Sequence, residues 1–211
     1  SKIAKKYQLW FHVDGAYGGA AILNSNLKAT LAGVENSDSV IFDAHKWLSL
    51  PMGISLFLTS KKEILNKTFR ITTEYMPREA NKLQVVDSFS HSIQWSRRFI
   101  GLKLYLTLLF FGWESYDEVI EHQRLMGIYL KEQLIATNWQ IKNNTPLPII
   151  CFTDNSISAN KAFTTFVCQE VIESGQSWLS QYPIDGISTL RTSVTNYSTS
   201  TEDIDVLVQE I

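Results

Sequence analysis

The stretch that decides the fold is Ser37–Pro51, SDSVIFDAHKWLSLP. It holds a short apolar run, Ser39–Phe42, that stops at Asp43 and is followed at once by His45, Lys46 and Trp47. The same form occurs about 30 residues earlier, where Leu9–Val13 ends at Asp14 and passes into a small-residue turn, within His12–Gly19, HVDGAYGG. A third run, Ile54–Leu58, follows. Continuous apolar strands of this kind suit a sheet covered on both faces, as in doubly wound α/β domains. Their polar ends then fall at the carboxyl edge, where such sheets build their sites.

Each cluster, His12–Ala16 and Asp43–Trp47, sets polar groups at the end of an apolar strand, where burial demands a partner for any charge. A lysine amine beside buried apolar groups is favoured in its neutral, nucleophilic form. An aspartate in the same pocket holds a protonated ligand nitrogen. Lys46 with Asp14 is thus the pairing that pyridoxal 5′-phosphate requires. Two other readings stay open on the residues alone. Strand-end Asp and Lys are ordinary solvated turn residues, and His12, Asp14, Asp43 and His45 on two adjacent strands would offer four metal ligands.

Beyond the strands, Ile71–Ser92 is polar and patternless, the composition of a functional or mobile loop. Trp95–Phe111 is apolar nearly all round and reads as a buried helix. Gly112 interrupts it, and Ser115-Tyr116-Asp117-Glu118 reads as a capping box opening a second helix to about Ala136. The last third predicts a strand at Pro148–Phe152, a helix over Ala159–Ser174 capped by Gly175, strands at Trp178–Leu179 and Ile187–Val194, and a final helix after a box at Thr199–Glu202. This β-α-β-β-α order implies a small α+β domain. The expected division is 1–111, part of a cofactor-binding large domain, and 112–211, a small C-terminal domain.

With 211 residues, 45% of them apolar, the chain has material for a packed core and is not disordered. The 19 basic and 21 acidic residues leave no footprint for nucleic acid or an anionic membrane. Two cysteines, Cys151 and Cys168, cannot build a disulfide framework. No secretory signal opens the chain, and the apolar stretch Phe99–Phe111 is too short to span a bilayer. The expectation is a cytoplasmic protein.

HVDGAYGG, SDSVIFDAHKWLSLP and Ser96–Lys103, SRRFIGLK, in that order and continuing to Leu190-Arg191 and Asn196, resemble the group II pyridoxal-phosphate-dependent amino-acid decarboxylases. The resemblance covers almost the whole chain. It implies a fold type I large domain, pyridoxal 5′-phosphate as cofactor, an L-amino acid as small-molecule substrate, decarboxylation to an amine and CO2, and a homodimer. Lys46 matches the lysine that carries the cofactor as a Schiff base, and Asp14 the carboxylate on the pyridinium. Ala16 matches the small residue on one ring face, and His45 the histidine near the phosphate. Asp43 falls where members carry Asn or Asp near that phosphate, and needs its own donor. His12 matches a histidine near the cofactor and the active-site loop. Arg191 falls where glutamate-specific members bind a substrate carboxylate, though an exposed strand arginine is an equal reading.

The chain departs from the family at two places. Counting back without gaps from Arg97-Arg98-Phe99 puts Ser88, with Phe89 beside it, where many members carry a proton-donating Tyr; Tyr75 lies too far upstream. Relatives with Phe at the Tyr position make aldehydes. Family chains also run to several hundred residues, with HVDxA past their middle, so an N-terminal half of the large domain is expected from a longer polypeptide or a split enzyme. Three readings compete: a carboxy-lyase joined to that half, an aldehyde synthase or transaminase on the same scaffold, and a non-catalytic fragment.

Overall fold

Sheet register explains how two strand ends 30 residues apart meet. In the computed structural model, which describes residues 1–71, 86–154 and 160–211, helix α1 (Lys2–Tyr7) leads into β1 (His12–Asp14). Strand β2 (Ser39–Asp43) runs parallel to β1, with His12 opposite Ser39 and Asp14 opposite Ile41. Three 3-10 turns, Gly18–Leu23, Lys28–Leu31 and Val34–Asn36, make the connection. The third strand, β3 (Ser55–Thr59), returns antiparallel on the far side of β2.

Alternation along these strands puts His12, Asp14, Ser39, Ile41, Asp43, Ser55 and Phe57 on one face. The other face turns Phe42 and Leu56 onto a core of Ala20, Ala21, Leu27, Trp47, Leu50 and Ile54. The expected cover on both faces is therefore not found. His12, Asp14 and Phe57 are exposed, because the described residues cover this face only in part, at Ser39 and Asp43.

After α2 (Ile64–Phe69) and a 3-10 turn at Ser88–Ser90, α3 runs from Gly101 to Ala136. Gly112, at φ 77° and ψ 174°, breaks it, a conformation open to glycine and costly for other residues. Two expectations need correction. The helix starts at Gly101, not near Trp95, and its first three turns are not buried. Leu104 and Leu108 reach the core, while Tyr105, Leu109 and Phe110 (80% exposed) face outward. A stripe that is apolar all round needs cover all round, and the described residues supply one side. Past Gly112 the pattern becomes amphipathic, with Tyr116, Ile120, Gln123, Gly127, Leu130 and Leu134 buried at alternating steps of four and three.

The C-terminal third forms an antiparallel sheet in the order β4-β5-β7-β6, comprising β4 (Trp139–Ile141), β5 (Ile149–Asp154), β6 (Ser180–Ile184) and β7 (Ile187–Ser193). Helices α4 (Lys161–Ser174) and α5 (Thr201–Glu210) pack with α3 around Trp139, Phe152, Leu179, Leu190, Ile204 and Leu207. Asn160 caps α4 by accepting from the Ala162 and Phe163 amides, and Gly175 closes it at φ 71°. Strand β4 has no apolar run to announce it. Trp178–Leu179 precedes its strand instead of forming it. The last capping box sits one residue later than its motif suggests, between Ser200 and Asp203. The first residue of the expected α4, Ala159, lies outside the described residues.

Candidate active site

The parallel pairing of β1 and β2 delivers Asp14 and Asp43 to one sheet edge. Immediately after β1 the chain folds back on itself. The Ala16 amide donates to Asp14 Oδ1 at 3.0 Å, Gly15 N–H donates to the Ile41 carbonyl at 3.0 Å, and Asp43 N–H donates to the Ala16 carbonyl at 3.1 Å. A Cβ on Gly15 would stand 2.9 Å from the Ile41 oxygen, so the turn closes only with glycine there. Asp14 Oδ2 has no hydrogen-bond partner among the described residues, which leaves it open to a cationic N–H.

Lys46 lies in the turn between β2 and β3, where its amide donates to the Asp43 carbonyl at 3.1 Å and its carbonyl accepts from the Ser49 amide at 3.2 Å. Its side chain is 44% exposed and ion-pairs with Asp43 Oδ2 at 2.9 Å. Neither Lys46 nor Asp14 is buried as the sequence suggests, and the partner of the amine is Asp43. The donor that Asp43 requires is supplied twice. Ser55 Oγ donates to Oδ1 at 2.5 Å, and Lys46 holds the other oxygen. The serine hydroxyl first, and the ammonium second, hold the Asp43 carboxyl below its usual range.

His45 Nδ1–H donates to the Ile54 carbonyl at 3.0 Å, which fixes the proton on Nδ1 and leaves Nε2 without a hydrogen-bond partner among the described residues. On the open sheet face, His12 Nδ1 meets Ser39 Oγ at 2.8 Å, and its ring lies nearly parallel to Phe57 at 6.3 Å. Trp10 Nε1 donates to the same serine oxygen at 2.8 Å. These contacts split the four-ligand metal set. Among the described residues no three His, Cys, Asp or Glu side chains converge as a metal site.

Arg191 is a half-buried residue of the central strand β7, paired with Cys151 on one side and Ser180 on the other, and not the exposed strand arginine of the alternative reading. Its charge acts on Tyr17, whose buried hydroxyl has no partner among the described residues. Burial pushes that phenol well above its ordinary pKa, and the guanidinium opposes the shift. Tyr17 stacks flat on Trp47, with centroids 5.0 Å apart and planes 5° apart.

Sequence reasoning missed Ser39, Ser55, Tyr17 and Gln123. Only Tyr17 left a signal, a large aromatic inside a turn of small residues. Ser88 Oγ donates to the Trp95 carbonyl at 3.2 Å, and the Phe89 ring lies 6.4 Å from Trp95. Most of the polar loop, residues 72–85 with Tyr75, lies outside the described residues.

Comparison with known proteins places the chain in a family. The profile of the pyridoxal-dependent decarboxylase conserved domain matches residues 1–154. An aromatic-L-amino-acid decarboxylase of Bacillus atrophaeus is 30% identical, over 96% of this chain and 44% of its own. A histidine decarboxylase of Mus musculus is 30% identical, over 93% of this chain and 29% of its own. Among solved structures, Rhodiola rosea 4-hydroxyphenylacetaldehyde synthase superposes with a TM-score of 0.83 at 26% identity, covering 99% of this chain and 44% of that one. The chain spans less than half the length of these relatives.

Proposed function

The chain belongs to the pyridoxal-dependent decarboxylase family, and from that premise we propose that the whole polypeptide decarboxylates an L-amino acid to an amine and CO2 with pyridoxal 5′-phosphate held at Lys46. The observation that carries this reading is the solvent-reachable amine of Lys46 in a hydrogen-bonded turn at the sheet edge where Asp14 keeps one carboxylate oxygen open. A solvent-reachable primary amine, held by Asp43 until it reacts, and a carboxylate with one oxygen open are the two groups the cofactor's aldehyde and ring nitrogen need. The residues fit the group.

Bound there, the cofactor supplies an electron-poor ring that accepts the bond pair released as the Cα–carboxylate bond breaks. The chain's own part is holding and positioning. Lys46 would hold the aldehyde carbon once its amine leaves Asp43. Asp14 would keep the ring nitrogen protonated, with its other oxygen tied to the Ala16 amide so that it cannot swing away. Ala16, short enough to let a flat ring lie against it, would cover one ring face. His45 offers Nε2, and Asp43 the far side of the turn, beside the phosphate. His12 is fixed by Ser39 and Phe57 with Nε2 open, and we assign it proton movement at the substrate's α-carbon. Arg191 is assigned to a substrate carboxylate.

Two exposed surfaces support the remaining proposals. The sheet face of His12, Asp14 and Phe57 fits cover by a front half of the large domain, and the outward side of α3 at Leu109 and Phe110 fits a second copy in a homodimer. The division at Gly112 into 1–111 and 112–211 follows the break in α3. No described helix is long and apolar enough to cross a membrane. The unpaired cysteines Cys151 and Cys168 suit a cytoplasmic setting.

A second reading, aldehyde synthesis, is favoured by Ser88, whose hydroxyl is spent on the Trp95 carbonyl, and by the likeness to the Rhodiola rosea enzyme. Product analysis for CO2, ammonia and peroxide over a panel of amino acids separates the two. Borohydride reduction of the cofactor-loaded whole polypeptide, followed by peptide mapping, tests the proposal itself. A tag on Lys46, lost in Lys46→Ala, is expected. A tag elsewhere, or none, overturns it.

A further inference from the structure

The residue after Lys46 is fully buried, and its one polar atom is tied across the molecule. Trp47 Nε1 donates to Gln123 Oε1 at 2.6 Å, and Gln123 Nε2 donates to the Thr195 carbonyl at 2.7 Å. Gln123 is 0% exposed, on the face of α3 that separates the two cores. Its amide has one orientation that works. Turned over, its NH2 would oppose the indole N–H and its oxygen would oppose the Thr195 carbonyl. A buried amide satisfied at both ends is costly to disturb, because losing either partner strands a buried donor or acceptor.

What the amide joins gives it its meaning. Trp47 is covalently next to Lys46 and lies flat on Tyr17, three residues beyond Asp14. Thr195 is four residues beyond Arg191, on the segment leaving β7, and the Arg191 charge acts on the same Tyr17. From this we propose that Gln123 is a positioning residue, a strut that registers the Lys46 turn against the Arg191 strand and so fixes the cofactor-holding amine relative to the C-terminal unit. The role assigned to Lys46 rests on the function proposed above; the strut itself is a property of the polypeptide with or without cofactor.

The test uses the whole polypeptide with Gln123→Leu, Trp47→Phe and the double substitution. Trp47→Phe keeps a six-membered ring on Tyr17 and removes the N–H with the rest of the pyrrole ring, so the lost packing acts at 43–50 and the effect at the distant peptide 191–196 is the one that reads the linkage. In cofactor-free protein, hydrogen exchange is followed in peptides covering residues 43–50 and 191–196. Trp47→Phe loses one hydrogen bond and should speed exchange in both peptides by about fivefold, and Gln123→Leu, which loses two, should speed it by at least as much. Trp47→Phe should do so at 191–196, and the double should add little, because both break one linkage. In loaded protein, visible circular dichroism per bound cofactor should change alike in both singles, with Lys46 still the residue tagged by borohydride. Faster exchange at 43–50 without any change at 191–196 in Trp47→Phe, unchanged exchange in both peptides in Gln123→Leu, or fully additive effects would overturn the strut. A parent protein that shows the exchange coupling but no tag on Lys46 would instead refute the proposed function and leave the strut standing.

Discussion

Replacing Glu121 by Gln should destabilise the protein at neutral pH and leave it nearly unchanged at pH 2. Glu121 accepts a two-pronged contact from Arg124, Nε at 2.9 Å and Nη2 at 2.6 Å, and a weaker bond from Asn24 Nδ2 at 3.3 Å. Asn24, fully buried, also holds Asp117 Oδ1 at 2.6 Å, so this network ties α3 to the connection that follows the glycine turn of the site. The Arg124 fork first, with the asparagines after it, lowers the Glu121 carboxyl to about 2. A depressed carboxyl stabilises the folded state above its unfolded pKa, and the gain fades as pH falls from about 4.5 toward about 2. The full shift corresponds to about 3 kcal/mol. The side chain is 26% exposed, and water screening brings the expected value to about 1–2 kcal/mol. Urea unfolding of the whole polypeptide and Glu121→Gln, followed by far-ultraviolet dichroism at steps from pH 7 to pH 2, measures the gap. A gap that stays constant across that range would show that the ionised fork is not its source.

Two further outcomes follow from contacts around the site. In Gly127→Ala a Cβ would come 2.7 Å from Pro148 Cβ and 2.8 Å from its Cα, and neither a proline ring nor a backbone atom can move aside. Overpacking of about 1–3 kcal/mol should therefore outweigh the helix gain of about 1 kcal/mol, and thermal unfolding should show a lowered midpoint. A raised midpoint would mean that the α3–Pro148 contact relaxes freely. Ser55→Ala removes the largest cause of the low Asp43 pKa, so the Asp43 carboxyl should titrate at a higher pH, followed by carboxyl 13C shifts, with Lys46 still paired to it. An unmoved titration would assign the shift to Lys46 instead.

How much was legible depended on whether a property is local. The strand ends, the glycine turn, the break at Gly112 and the Gly175 cap are dictated by a few adjacent residues, and their motifs place them to within a residue or two. Gly15 is a turn glycine in any reading of HVDGAYGG. Properties set by distant chain were read less well. An apolar helix calls for cover on every side, so Trp95–Phe111 reads as buried, yet periodicity carries no information on whether that cover belongs to this stretch of chain. The same gap hid Gln123. A lone Gln on an amphipathic helix looks like an ordinary polar position until Trp47 and Thr195 are seen at either end of its amide. Asp14 and Lys46 fall between these cases. Their identities and the parallel pairing that puts their strand ends at one edge are local, but their burial is not. Asp14 is exposed for the same reason Phe57 is, since no described residue covers them on the sheet face they share, whereas Lys46 is exposed in the turn beyond β2. Whether Asp14 is buried is therefore set by what lies over its sheet face, which no local motif announces, while the placement of Lys46 follows from the turn that Asp43 and Ser49 close around it.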